Sequence, residues 1–470
     1  MTLPLLPLIV LLPAAAAFLA AMLPKRFSST VAKLASLAVL LLVIGVVYQT
    51  SAYGLQSVSF GYPYIQALGI TFSMSVTQIT QILAVMTAVV FFAASLVGDY
   101  FISQNRRLYN FIFLVSEGSC LGVFLASNMF LFFVFWEVSE IAMFFIIFLY
   151  GGINRRYAAV KFIIYSIISS LLLLMAIMLM YSYSSPHTFD IASLEGGALQ
   201  MPQYVSSITF FMLLVSFMIK MPVFPLHTWL PDAHTEAPAT GSMVLAGVLL
   251  KFGGYGLLIA LTIFSQLAIS HSAAIASLFA FSAIYAAVVA IKRSNLKRLI
   301  AYTSIVDMGI VAFGLMAMNS SADTGAVYAM LSHGLAISLL FMLSGMLDKE
   351  FGTLVINNIK GVYRWSRTAA YLFLGGIFGI VGLPLTSGFV ADIMLFSGAV
   401  GSFGTTGIIP LFAVIIVGAY MFWLMERSFF GERISYIGED AVLSKWVLLS
   451  SILLIISTVL LGILPMLLVH

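Results

Sequence analysis

The chain is 470 residues long, 62% hydrophobic and only 8% charged, with a mean hydropathy of +1.12 and a net charge of +4. So little polar surface cannot cover a soluble globule, and the small positive excess is a topology signal that implies no nucleic-acid partner. A single cysteine, Cys120, excludes an intrachain disulfide and a cysteine-ligated iron–sulfur cluster.

In chain order, apolar runs of roughly 20 residues recur at 3–23, 30–50, 75–98, 108–127, 129–150, 158–183, 205–223, 237–265, 269–291, 297–318, 324–347, 369–400, 405–426 and 443–469. They predict an all-α membrane protein of about fourteen transmembrane helices lying in a lipid bilayer. The first run lacks a small-residue cleavage site, so it is expected to be a retained span and the mature chain to begin near Met1. Basic residues gather in alternate connections: Lys25, Arg26 and Lys33, then Arg106 and Arg107, then Arg155, Arg156 and Lys161. The second half repeats this with Lys292, Arg293, Lys297 and Arg298, then Lys349, Lys360, Arg364 and Arg367, then Arg427, Arg433 and Lys445. The opposite connections contain neither Lys nor Arg, so the basic loops face the cytoplasm or its organellar equivalent.

Two predicted spans are broken. Span seven runs into Lys220-Met221-Pro222-Val223-Phe224-Pro225, where two prolines remove backbone donors. Span twelve contains Gly382-Leu383-Pro384-Leu385-Thr386-Ser387-Gly388, with Asp392 just beyond. Non-helical backbone survives at membrane depth only against protein or water, and interrupted helices carrying a charge point to an ion pathway. The two breaks are five spans apart, an odd offset that turns the second upside down. The chain is therefore expected to contain two inverted five-helix repeats, each with a discontinuous helix. The division is 1–104 for helices 1–3, 105–266 for helices 4–8, 267–428 for helices 9–13 and 429–470 for helix 14.

Charged groups inside the apolar runs carry the chemistry. Glu137, Lys220, Lys251 and Asp392 each interrupt such a run, and burying a charge costs several kcal/mol or more unless it is paired, hydrated or neutralised. Low dielectric disfavours the charged form of an amine and of a carboxylate alike, so a neighbour that changes charge moves a proton on or off. Glu137 and Glu140 are three apart and share a helix face, so they are expected either to couple their titrations or to offer a lateral contact to a neighbouring subunit. His227 and His234, beside Asp232 and Glu236, lack an open ligand set and read as loop-folding residues with no metal.

The run Lys220-Met-Pro-Val-Phe-Pro-Leu-His227-Thr-Trp229-Leu-Pro-Asp232-Ala-His234-Thr-Glu236-Ala-Pro, continuing through Gly-Ser-Met-Val-Leu-Ala to Lys251-Phe-Gly-Gly-Tyr-Gly, resembles the signature of the antiporter-like proton-pumping subunits of respiratory complex I, most closely the M-type. Phe135-Trp136-Glu137, Asn295-Leu-Lys-Arg298-Leu-Ile-Ala-Tyr302 and His333-Gly-Leu-Ala extend the resemblance over roughly 105–430. The resemblance implies a proton relay through Glu137, Lys220, Lys251, His333 and Asp392, in which Glu137 holds Lys220 protonated and protons pass by Lys251 and His333 to Asp392. It also implies redox chemistry in partner subunits of the membrane complex, where flavin, iron–sulfur clusters and quinone would reside, and no cofactor in this chain. Three departures stand out. Asp392 replaces the Glu usual in M-type members, Asp307 stands where the family commonly has His, and Glu117 and Glu140 are extra carboxylates. Glu117, Glu140, Asp307 and His227 are thus secondary candidates. The rival readings are a subunit of an Mrp-type cation/proton antiporter, the membrane arm of an energy-converting hydrogenase, and a structural scaffold.

Overall fold

The structure, a computed structural model, describes residues 5–55, 57–430 and 443–468; Met1 and Arg433 lie outside them. Fourteen helices among the described residues are long and apolar enough to cross a membrane, as the hydropathy pattern requires. Three of them, α1 (Leu5–Met22), α2 (Lys25–Ala52) and α3 (Gln78–Phe101), precede α4 (Arg106–Leu125), α5 (Met129–Tyr150) and α6 (Arg155–Tyr183). Between α2 and α3 stands an element the hydropathy pattern does not announce. It is an antiparallel hairpin of β1 (Ser57–Ile65) and β2 (Ile70–Thr77), turned by Gly69 in the left-handed region at φ 65°. Asn128, which caps α5, ties this hairpin to the bundle by donating to the Thr71 carbonyl and to Ser73.

The first break follows the proline logic. A short surface helix, α7 (Ile191–Gln200), leads into α8 (Gln203–Lys220), which ends at Lys220. After a turn at 221–229 the chain resumes as α9 (Leu230–Glu236), then α10 (Ala239–Val244). A wider π turn at Leu245–Leu249 joins α10 to α11 (Lys251–Ile263). The next elements are α12 (Ser265–Ile291), α13 (Leu296–Leu315) and the 32-residue α14 (Ser320–Phe351), buried along most of its length. A one-turn helix, α15 (Val362–Trp365), leads into α16 (Arg367–Val381). The second break separates α16 from α17 (Ser387–Phe403); α18 (Leu411–Leu424) and α19 (Lys445–Ile463) close the described fold. Gly382 opens this break at φ 68°, and Leu385 follows at φ 76° with its side chain turned out. The second conformation costs a non-glycine residue about 1–2 kcal/mol.

Contacts between the connections sort them onto two faces. On one, Asp99 binds Lys33 and Arg106, Tyr100 donates to Glu350, Tyr150 donates to the Asn105 carbonyl, and the Gly152 amide donates to the Glu236 carbonyl. On the other, the Met129 amide reaches the Phe189 carbonyl and Asn319 donates to the Gly398 carbonyl. The first face carries the basic connections, the ones expected on the cytoplasmic side or its organellar equivalent. Two lysines counted as loop charges lie further in. Lys161 sits inside α6 and pairs with Asp232 at 2.7 Å, while Lys297 is buried and donates to the Ala237 carbonyl at 3.0 Å.

Candidate functional site

Position on a helix decides which carboxylate of α5 enters the protein. Three residues of helix turn through about 300°, so Glu137 and Glu140 point roughly 60° apart. Glu140 turns inward and is 2% exposed; Glu137 is half-buried, with Oε1 enclosed and without a hydrogen-bond partner among the described residues. Glu140 Oε1 accepts from Lys220 Nζ at 2.5 Å, and Oε2 accepts from Ser170 of α6 at 3.4 Å. The expected partner of Lys220 was Glu137, and the structure assigns that pairing to Glu140 instead. Around the ammonium stand the rings of Trp136, Phe162 and Phe252, with centroids at 5.3, 5.6 and 5.8 Å. Such rings stabilise a desolvated cation from their faces.

Lys251 is completely buried and opens α11 immediately after the π turn. Within that turn the Leu250 amide reaches back five residues to the Leu245 carbonyl, and Lys251 Nζ donates to the Ala246 carbonyl at 2.5 Å. Single π turns inside α-helices recur at functional sites for this reason, since the wider winding frees a backbone group. The same Nζ shares a 2.6 Å hydrogen bond with Nδ1 of His333 on α14. His333 therefore bridges α11 to whatever faces its other nitrogen.

That other nitrogen, Nε2, has no hydrogen-bond partner among the described residues and lies 3.8 Å from Asp307 Oδ2 on α13. Asp307, His333 and Asp392 line one cavity of about 30 Å³ together with Ser332, Gly379 and Gly388. Since one water requires roughly 10–15 Å³, the space suits a water or two bridging imidazole and carboxylates. Gly382 makes the approach possible: a Cβ there would come within 2.6 Å of Asp392 Oδ2. Ser387, at the start of α17, donates to Ser332 at 2.9 Å and fixes the second break against α14.

The remaining candidates are elsewhere. Glu117 on α4 is fully buried, but its contact is with α2, where Ser36 donates to Oε2 at 2.6 Å. His227 sits in the first break among the rings of Phe224, Tyr285 and Tyr302, and His234 stacks on Phe341 at 4.4 Å. Asp232 on α9 holds both Lys161 of α6 and Arg298 of α13, an ion-paired bracket across the cytoplasmic end of the break. Asp323 escaped the sequence reading because an acid in the first turn of a helix reads as a dipole partner; here Oδ1 is enclosed and has no hydrogen-bond partner among the described residues. No group of three or more His, Cys, Asp or Glu side chains suited to a metal occurs among the described residues.

Residues 126–418 match the family described as NADH:quinone oxidoreductase/Mrp antiporter, TM. Over 372 residues the chain is 33% identical to NADH-quinone oxidoreductase subunit M of Rickettsia felis, covering 79% of this chain and 75% of that protein. The chain belongs to this family. As a member of the NADH:quinone oxidoreductase/Mrp antiporter family it shares its fold with a chain of respiratory complex I from Thermus thermophilus, at a TM-score of 0.90, 26% identity and coverage of 98% and 96%. A chain of the Mrp complex from Dietzia sp. is as similar in shape, with a TM-score of 0.89 at 17% identity and coverage of 100% and 96%. Fold alone therefore does not separate the two branches. Glu137, Glu140, Lys220, Lys251, Asp307, His333 and Asp392 all fall inside the matched family segment, and Glu117 lies before it.

Proposed function

We propose that this chain is the M-type proton-translocating membrane subunit of a complex I-type oxidoreductase, working beside other membrane-arm subunits and carrying protons but no electrons. The observation that carries this reading is the pair of polar clusters set between the two broken helices: Glu140 with Lys220 on one side, and Lys251, His333, Asp307 and Asp392, gathered by one hydrogen bond, a 3.8 Å approach and one small cavity, on the other. In it, the Glu140–Lys220 pair stores a proton on the amine. Losing the carboxylate's charge to a change at the subunit surface, where half-buried Glu137 stands on the same helix, weakens that hold and sends the proton toward Lys251. Phe252, next to Lys251 in sequence, sets its ring 5.8 Å from Lys220 Nζ; the two lysines share no hydrogen bond among the described residues, so transfer between them runs through transient water. His333 takes the proton at one nitrogen and gives it up at the other, and Asp307 and Asp392 receive it in turn.

The inverted five-helix repeats fit this scheme, since each supplies one broken helix, 105–266 through Lys220 and 267–428 through Asp392. Flavin, iron–sulfur clusters and quinone belong to partner subunits in this reading. An acidic Asp392 and the subunit M relative favour the complex I branch over the Mrp branch. The test is the whole complex with Lys220→Ala, reconstituted into vesicles with a pH-sensitive dye. Loss of internal acidification in an assembled complex is expected, and wild-type acidification would refute the assignment.

A further inference from the structure

Two cavities at the outer face form one groove. The upper, about 560 Å³, is lined by Thr50, Ser51, Thr77, Gln78 and Gln81 among others. The lower, about 370 Å³, runs between α2, α3, α14 and α19 and is walled by apolar residues such as Leu40, Val47, Val85 and Leu460. Ser51 lines both. The back wall is fastened from inside: Gln81 donates to the Leu468 carbonyl and Tyr328 of α14 to the Leu461 carbonyl. A chamber of mixed polarity set above an apolar slot has the shape of an amphipathic molecule standing upright in a membrane.

We propose that this groove binds one phospholipid of the outer leaflet, with its zwitterionic headgroup in the chamber and an acyl chain in the slot. Depth selects a lipid over a neighbouring helix. From Leu40 to Ser51 the slot follows α2 for eleven residue steps, about 16 Å of axis. That is one leaflet of a hydrocarbon core of roughly 30 Å, whereas a partner's transmembrane helix would need a seam through both. Charge selects the headgroup: among the described residues the chamber wall mixes Thr, Ser and Gln side chains with Leu55 and Ile79 and carries no Lys, Arg, Asp or Glu, so it admits a neutral phosphate–ammonium pair more readily than a net anion. Exposed Tyr48 and Tyr53 flank the junction at the level where aromatic side chains meet headgroups. Leu335 of α14, two residues from His333, lines the slot, so the lipid lies against the helix that carries the central histidine.

The test uses the assembled complex in detergent, washed free of loosely held lipid and incubated with phosphatidylethanolamine carrying a diazirine in its acyl chain. Photolabel is expected on peptides containing 40–51 and 85–89, falling about tenfold in Ser51→Trp, which fills the junction, and persisting in Ser51→Ala. Unlabelled phosphatidylethanolamine should displace it better than phosphatidylglycerol. Leu460→Trp, at an exposed position of α19, repeats the block if Ser51→Trp does not assemble. Equal labelling in the blocked variants, label spread evenly onto the exposed face of α6, or cross-linking of a photoreactive residue at position 51 to another subunit would each overturn the proposal.

Discussion

Glu140 and Lys220, from α5 and α8, meet at 2.5 Å with neither side chain more than 2% exposed. Breaking such a pair from one side leaves an unpaired charge in low dielectric, at a cost of about 3–5 kcal/mol. Glu140→Gln should therefore destabilise the subunit markedly more than Glu137→Gln, whose carboxylate makes no ion pair among the described residues. Thermal dissociation of the complex followed for this subunit measures the difference. Adding Lys220→Met to Glu140→Gln should restore much of the loss, and a double variant as unstable as Glu140→Gln alone would show that the pair does not bear the cost.

Asp307 and Asp392 allow a test by residue exchange. Asp307→His puts back the residue common in the resembling family opposite His333 and should retain proton pumping, whereas Asp307→Ala should lower it at least about tenfold, a barrier change of 1.4 kcal/mol. Asp392→Asn should block pumping and Asp392→Glu should keep it. Vesicle acidification at fixed electron flux separates these outcomes, and normal pumping by Asp392→Asn would reduce that residue to a packing role.

Asp232 brackets α6 and α13 from α9 through Lys161 and Arg298, and these side chains are 17–40% exposed. Ion pairs in such surroundings contribute about 1 kcal/mol or less. Asp232→Asn should thus leave thermal stability nearly unchanged while loosening α9, seen as faster hydrogen exchange of amides at 230–236. A large drop in stability would mean that the bracket does more than position this short helix.

The cytoplasmic assignment predicts that a cysteine introduced at exposed Lys360 reacts with an impermeant thiol reagent only from the basic face. Native Cys120 is buried and does not compete. Labelling from the opposite side of sealed, oriented membranes would invert the topology.

The broken helices and both lysines were legible because each violates the pattern around it: Pro222 and Pro225 stop a helix, Gly382 to Gly388 interrupts another, and a lysine in an apolar run is visible by contrast. The partner of Lys220 was not. Glu137 and Glu140 differ by a rotation of about 60°, and which one faces α8 depends on how α5 is turned by its neighbours, which no local pattern records. Asp307 drew attention as an odd residue, but only the packing of α13 against α14 reveals it between His333 and Asp392. Lys297 reads as a loop charge because it follows Asn295, and it is buried only because the Ala237 carbonyl comes to meet it. The hairpin at 57–77 was hidden by the apolar run that continues from it into α3.

Lys251 provides the most direct test of the proton series, because it is fully buried and its 2.6 Å bond to His333 joins α11 to α14 at the middle of that series. The measurement is the number of protons translocated per electron by the complex carrying Lys251→Met, reconstituted into sealed vesicles, with assembly checked by subunit content. The predicted result is an assembled complex whose proton-to-electron ratio or coupled electron flux falls well below that of the wild type. An assembled complex with unchanged ratio and unchanged flux would contradict the series at its centre.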